Sequence, residues 1–192
     1  PVTELDLQHL VALTLPVLEG FRRIEPRPWD RQAVLLELLG EVGSLAHVAQ
    51  QREGFKRGGA PADKLADECC DVIFVALRLA REDGVALPDR LTVPPVQGRV
   101  SGLILQMSRD LAELSSLPTA RERLLDIIAG AAAVAAGAGV DLVAAYEREM
   151  AVAAGFFAAC GEAWPHPQPL RRPLATLRLW RLLWRRRSSP PE

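Results

Sequence analysis

The chain has 192 residues, of which 49% are apolar but only 5% aromatic, and its formal net charge is −1. That length buries one good core, and a composition dominated by alanine and leucine favours packed helices over a sheet. No apolar run reaches the roughly 20 uncharged residues needed to span a bilayer, and the first ten residues lack a basic signal-peptide region, so a soluble, cytoplasmic protein is expected.

The near-neutral charge hides an asymmetry. Seven arginines and one acid lie between Arg171 and Glu192, which leaves a net −7 on residues 1–170. Cys69, Cys70 and Cys160 have no metal-binding spacing. They are expected as small buried residues of a reducing compartment.

In chain order, apolar Leu7, Leu10, Val11, Leu15 and Leu18 predict a first helix over about residues 3–23, kinked or restarted at Pro16. After the break at Glu25-Pro26-Arg27-Pro28, Asp30 is a good N-cap for a helix over 31–52. A basic, glycine-rich loop follows, Glu53-Gly54-Phe55-Lys56-Arg57-Gly58-Gly59, and then a third helix from Pro61 to about Gly84. That helix is apolar nearly all round between Val72 and Leu79, as a central buried helix would be. Beyond Pro94-Pro95, helices are expected at about 96–114, 119–138 and 141–160. The domain reading is therefore a helical domain over 1–162, made of an acidic hairpin (30–90) and a second hairpin (96–160), with a Pro/Arg/Trp-rich tail over 163–192.

Two acidic clusters interrupt the apolar stretches. Glu37, Glu41 and Ser44 fall at i, i+4 and i+7 on one stripe of the second helix, and Glu68 and Asp71 are stripe neighbours on the third. Their apolar surroundings leave little room for a wet face, so these carboxylates are expected to enter the protein. Converging buried carboxylates repel one another and are costly to desolvate unless a positive charge compensates them. Oxygen-only ligands suit a hard divalent cation, Mg²⁺ or Mn²⁺, and Mg²⁺ commonly shares its shell with substrate phosphates.

The second half echoes the first. Ser44-Leu45-Ala46-His47-Val48 lines up with Asp110-Leu111-Ala112-Glu113-Leu114, and Asp71-Val72-Ile73 with Asp126-Ile127-Ile128. Gly84-Val85-Ala86-Leu87 follows in register with Gly139-Val140-Asp141-Leu142. The second copy is degenerate, with Met107 opposite Glu41 and Arg123 opposite Glu68; Asp110 and Asp126 remain.

The strings Glu41-Val42-Gly43-Ser44-Leu45-Ala46 and Asp67-Glu68-Cys69-Cys70-Asp71-Val72-Ile73-Phe74 resemble the all-α nucleoside triphosphate pyrophosphohydrolases of the MazG-like superfamily, whose signature is Glu-x-x-Glu, a spacer and Glu-x-x-Asp. The likeness covers about residues 3–90 and weakens beyond. It implies an all-α bundle and Mg²⁺-dependent cleavage of nucleoside triphosphates between the α- and β-phosphates, giving a monophosphate and pyrophosphate, as in removal of surplus or noncanonical nucleotides. By position, Glu41, Glu68 and Asp71 would be metal ligands, and Glu37 an outer ligand or the base for water. The family's second Glu is Ser44 here, so Glu37 or Asp110 would supply the missing charge. The stretch matching the family's basic final helix offers only Arg148, so Lys56, Arg57, Lys64 or Arg123 would meet the phosphates. Such hairpins usually complete their bundle by dimerising; here a homodimer, or the second hairpin, would do so.

Trp29 could stack on a base or serve as an edge aromatic of the core. In the tail, Leu174, Leu177, Trp180, Leu183 and Trp184 recur at helical spacing among arginines, a pattern that suits an anionic membrane, a protein partner or nucleic acid. The competing functional reading is a degenerate, non-catalytic module of the same fold that binds nucleotide or a protein partner, favoured by Ser44 and the missing basic cluster.

Overall fold

The computed structural model describes residues 3–96, 98–116 and 121–160. Among them the chain forms β1 (Thr3–Asp6), α1 (Leu7–Ile24), α2 (Arg31–Arg52), α3 (Ala62–Glu82), β2 (Arg90–Val93), α4 (Val100–Ser116), α5 (Arg121–Gly137) and α6 (Leu142–Cys160). The predicted tail lies outside the described residues.

The helix starts follow local chemistry. Asp30 caps α2 by accepting from the Ala33 N–H at 2.8 Å, Asp6 caps α1 through His9 N–H at 2.9 Å, and Asp141 caps α6 through Ala144 N–H at 3.0 Å. Pro16 does not restart α1, which runs unbroken through it. It sits on the exposed side together with Ala12, whose carbonyl it cannot reach, so water can satisfy that oxygen.

The start of the chain departs from the predicted helix. Residues 3–6 form a strand that pairs antiparallel with β2, from Thr3 opposite Val93 to Asp6 opposite Arg90. Asp6, capping α1, prevents the helix from extending backwards, and the released strand finds its partner just before Pro94. Leu5 and Val93 turn inward and are buried, while Glu4 and Arg90 pair on the outside at 2.9 Å.

The helices make one bundle. The α2–α3 hairpin packs on the α4–α5 hairpin, α2 against α4 and α3 against α5, while α1 and α6 pair with each other and α6 also covers α3. Every residue from Glu68 to Ala80 is buried, so α3 is the central helix that its composition predicts. Fully buried Leu38, Leu45, Leu65, Ile73 and Leu79 each contribute about 1.5–3 kcal/mol of transfer free energy.

One buried polar feature ties the bundle's end. Arg78 forms a two-pronged ion pair with Glu25 at 2.6 and 3.1 Å, and its guanidinium lies 4.3 Å from the centroid of the Trp29 ring. Trp29 is half-buried against the core, and this ring face belongs to Arg78.

Candidate metal centre

Helix α2 brings one carboxylate inward and α3 brings two. Glu41 is 2% exposed, Glu68 6% and Asp71 7%, and a ligand oxygen from each lies within 4.8 Å of the others. That spacing is about twice a metal–oxygen bond, so one divalent cation can touch all three. Among the described residues this is the group of His, Cys, Asp or Glu side chains that converges in this way. Ser44, one turn past Glu41, is buried beside the same seam, and Glu37, one turn before it, is half-buried. The stripe predicted from the i, i+4, i+7 spacing is therefore present.

The field of these acids reaches their neighbours. The Cys69 thiol is pushed well above its ordinary range, first by burial and then by Glu68 and Asp71; Cys70 is raised by burial and then by Asp71. Tyr146, fully buried on α6, is raised by burial despite its hydrogen bond with the Thr14 hydroxyl at 2.6 Å, with Cys70 and Asp71 adding to the shift. Thr14 in turn donates to the Leu10 carbonyl at 2.7 Å. Tyr146 therefore carries its hydrogen to Thr14 and stays neutral beside the acidic seam. Sequence reading could not find this contact, which joins residues 132 apart.

The basic loop after α2 folds back on the helix it leaves. Gly54, Gly58 and Gly59 take left-handed backbone angles, and the Phe55 and Lys56 N–H groups bond the Gln50 carbonyl at 2.9 and 3.2 Å. This return places Lys56 Nζ 3.0 Å from His47 Nδ1. An ammonium only donates, so Nδ1 accepts and the imidazole proton sits on Nε2. The Gln51 amide nitrogen lies 3.1 Å from His47 Nε2; because Nε2 donates in this tautomer, the amide is turned over so that its oxygen accepts there. His47, exposed and three residues past Ser44, thus holds Lys56 beside the last turns of α2, a contact that spacing alone did not reveal. Arg57 lies exposed in the same loop, and Lys64 is half-buried in the first turn of α3.

Asp110 and Arg123 are placed differently from their expected roles. Asp110 is outside the converging triad. It sits on α4, 1% exposed, where Oδ1 accepts from Gln106 at 3.1 Å and from Arg123 at 3.4 Å. Burial raises its carboxyl above the usual range, against the opposing hydrogen bond from Gln106. Arg123, expected on phosphates, has its charge met by Asp110, by Glu113 at 2.7 Å and by Asp126 at 2.9 Å. Trp29 stacks on Arg78, seven residues and about 10 Å along α3 from Asp71.

Three carboxylates from two antiparallel helices can hold a hard cation on one side and leave its remaining positions for water and phosphate oxygens. In comparisons with known proteins, no family model, curated protein or solved structure matches the chain.

Proposed function

We propose that the chain is a MazG-like nucleoside triphosphate pyrophosphohydrolase that works with Mg²⁺ or Mn²⁺. The observation that carries this reading is the buried Glu41–Glu68–Asp71 triad, set on two facing helices at the positions of the motif it resembles. Oxygen-only donors at this spacing fit a hard divalent ion and give no reason for a softer one. A bound ion would neutralise the triphosphate and lower the pKa of a coordinated water.

The chain's own residues supply the rest. Glu41, Glu68 and Asp71 would hold the cation. Glu37, half-buried one turn away, accepts the proton as water oxygen bonds to the α-phosphorus and the bond to the bridging oxygen breaks, releasing pyrophosphate and leaving the monophosphate. Lys56, aligned by His47, meets the negative phosphate tail, with Arg57 and Lys64 nearby in sequence. Ser44 contributes a neutral hydroxyl where the resembled motif has a carboxylate, and this weakens metal affinity. That same residue favours the second reading, a module that binds nucleotide without turning it over.

The test separates the two. Glu68→Gln and Asp71→Asn are each expected to lower metal-dependent pyrophosphate release by roughly a hundredfold or more and to remove the rise in Tm that Mn²⁺ gives the wild type. Helical content should be unchanged. Turnover that survives both substitutions would remove the triad from the reaction, whereas nucleotide binding without release in the wild type would select the binding module.

A further inference from the structure

We infer that the outer face of α2 and α4 is a docking surface for an anionic lipid bilayer, with its leucines entering the interface and a border of arginines meeting the headgroups. The inference stands apart from the proposed function, because none of these leucines belongs to the triad.

The inward face of α2 is conventional, with Val34, Leu38 and Leu45 fully buried. Its outward face is not polar, as a surface helix of a globular protein usually is. Leu36, Leu39, Gly40 and Gly43 recur there at i, i+3, i+4 and i+7, all exposed, Leu36 at 68% and Leu39 at 54%. No exposed residue of α2 is an acid.

The neighbouring helix continues the face. On α4, Met107 packs against Gly130 of α5 and Asp110 accepts from Arg123, whereas Leu105 lies across the helix from both and is 64% exposed. Phe55, 59% exposed in the loop after α2, has the Arg99 guanidinium 5.3 Å from its ring centroid, just before α4 begins. Six large apolar side chains are exposed among the described residues, and these four are the most exposed; Leu15 and Val152 lie elsewhere, on α1 and α6. Single exposed leucines are ordinary, but a gathered set marks a surface that meets something apolar.

Charge selects the occupant. Arg52, Arg57, Arg99 and Arg109 are exposed around this face, and Glu113, the one exposed acid of α4, is engaged by Arg123 at 2.7 Å. A second copy of the chain placed face to face would set these arginines against their own kind, and the chain's arginine-rich tail has the same sign. An anionic bilayer satisfies both halves of the pattern, taking leucines among its acyl chains and arginines at its phosphates. The tail's seven arginines, with Trp180 and Trp184, carry the same chemistry in the sequence, and stable attachment to a bilayer takes two such signals.

The experiment is sedimentation of the full chain with vesicles of phosphatidylcholine alone or mixed with phosphatidylglycerol. The wild type is expected to bind the mixed vesicles roughly tenfold or more tightly than the neutral ones. Leu36→Ser, Leu39→Ser and Leu105→Ser together, with the tail intact, should weaken that binding roughly tenfold or more. Arg99→Gln with Arg109→Gln should weaken it about threefold or more and reduce its dependence on salt. Phe55→Ser, outside any helix, should lower affinity in the same direction and stands in for the triple variant should that variant fail to fold. A wild type that ignores the mixed vesicles overturns the inference. So does undiminished binding by the folded triple variant, or by Phe55→Ser in its place, which would leave the tail as the anchor. A dimer in light scattering that the triple variant abolishes, with vesicle binding unchanged, would assign the face to self-contact instead. None of these outcomes depends on whether the triad hydrolyses nucleotides.

Discussion

At the scale of single residues, the triad rests on two requirements that conflict in water-free surroundings. Glu41, Glu68 and Asp71 must be buried to lie on the seam between α2 and α3, and three converging carboxylates repel one another there. A divalent cation, as the proposed function requires, would relieve that repulsion. Cys69 and Cys70, which bracket the seam, report on the same environment without belonging to the chemistry. Burial is the first cause of their raised thiol pKa, and the acids are secondary, so neither thiol forms appreciable thiolate near neutral pH. Both should therefore resist a disulfide-exchange reagent at pH 8 in the folded protein, with or without Mg²⁺, and react once guanidinium unfolds it. Rapid modification of either in the folded state would contradict the burial of α3.

The residue spacing made the triad legible, because i, i+3 and i+4 neighbours share a helix face whatever the tertiary fold. Three other features were not legible. The Lys56–His47 contact depends on three glycines turning a loop back, and Arg78 meets Glu25 and Trp29 across the break between α1 and α2. Asp110, which aligns with Ser44, was one of two candidates, with Glu37, to supply charge at the first site. The structure instead places it within its own hairpin, accepting from Gln106 and Arg123.

At the scale of elements, caps and periodicity carried most of the information. α2 spans Arg31–Arg52, as Asp30 and the loop glycines predict, and α3, α5 and α6 lie within a few residues of their predicted bounds. Strand β1 escaped because four residues are too few to show an alternation, and its partner lies 86 residues away at the Glu4–Arg90 pair. The packing of α6 on α1 depends on a close approach that composition does not reveal. A Cβ on Gly20 would clash with the Phe157 ring at Cγ, Cδ1 and Cδ2, and that ring is itself held edge-on by Phe21 at 4.9 Å and Phe156 at 5.3 Å. Gly20→Ala should thus cost about 1–3 kcal/mol by overpacking, despite alanine's better helix propensity. Gly130→Ala also overpacks, against Met107 Cγ at 2.8 Å and Sδ at 3.0 Å, but this unbranched side chain can shift, so the cost should be smaller than that of Gly20→Ala. Denaturant titration of both variants measures the difference; equal stabilities would mean that α6 does not seat on α1 through Phe157.

At the scale of the whole molecule, two helical hairpins pack face to face, α2 on α4 and α3 on α5, and among the described residues the convergent acid triad lies on the first of them. The proposed function would place one cation in each chain, at that triad. The all-helical architecture was legible because an alanine- and leucine-rich chain with few aromatics has little else to build from. The central claim is that this cation serves phosphoanhydride hydrolysis. The most direct measurement is quantitation of pyrophosphate and monophosphate from a panel of ribo- and deoxyribonucleoside triphosphates, with Mg²⁺, with Mn²⁺ and with chelator. The account predicts equal amounts of the two products from at least one nucleotide, only when a divalent ion is present. Absence of both products across the panel, from folded protein, would contradict it, and so would release that persists in chelator.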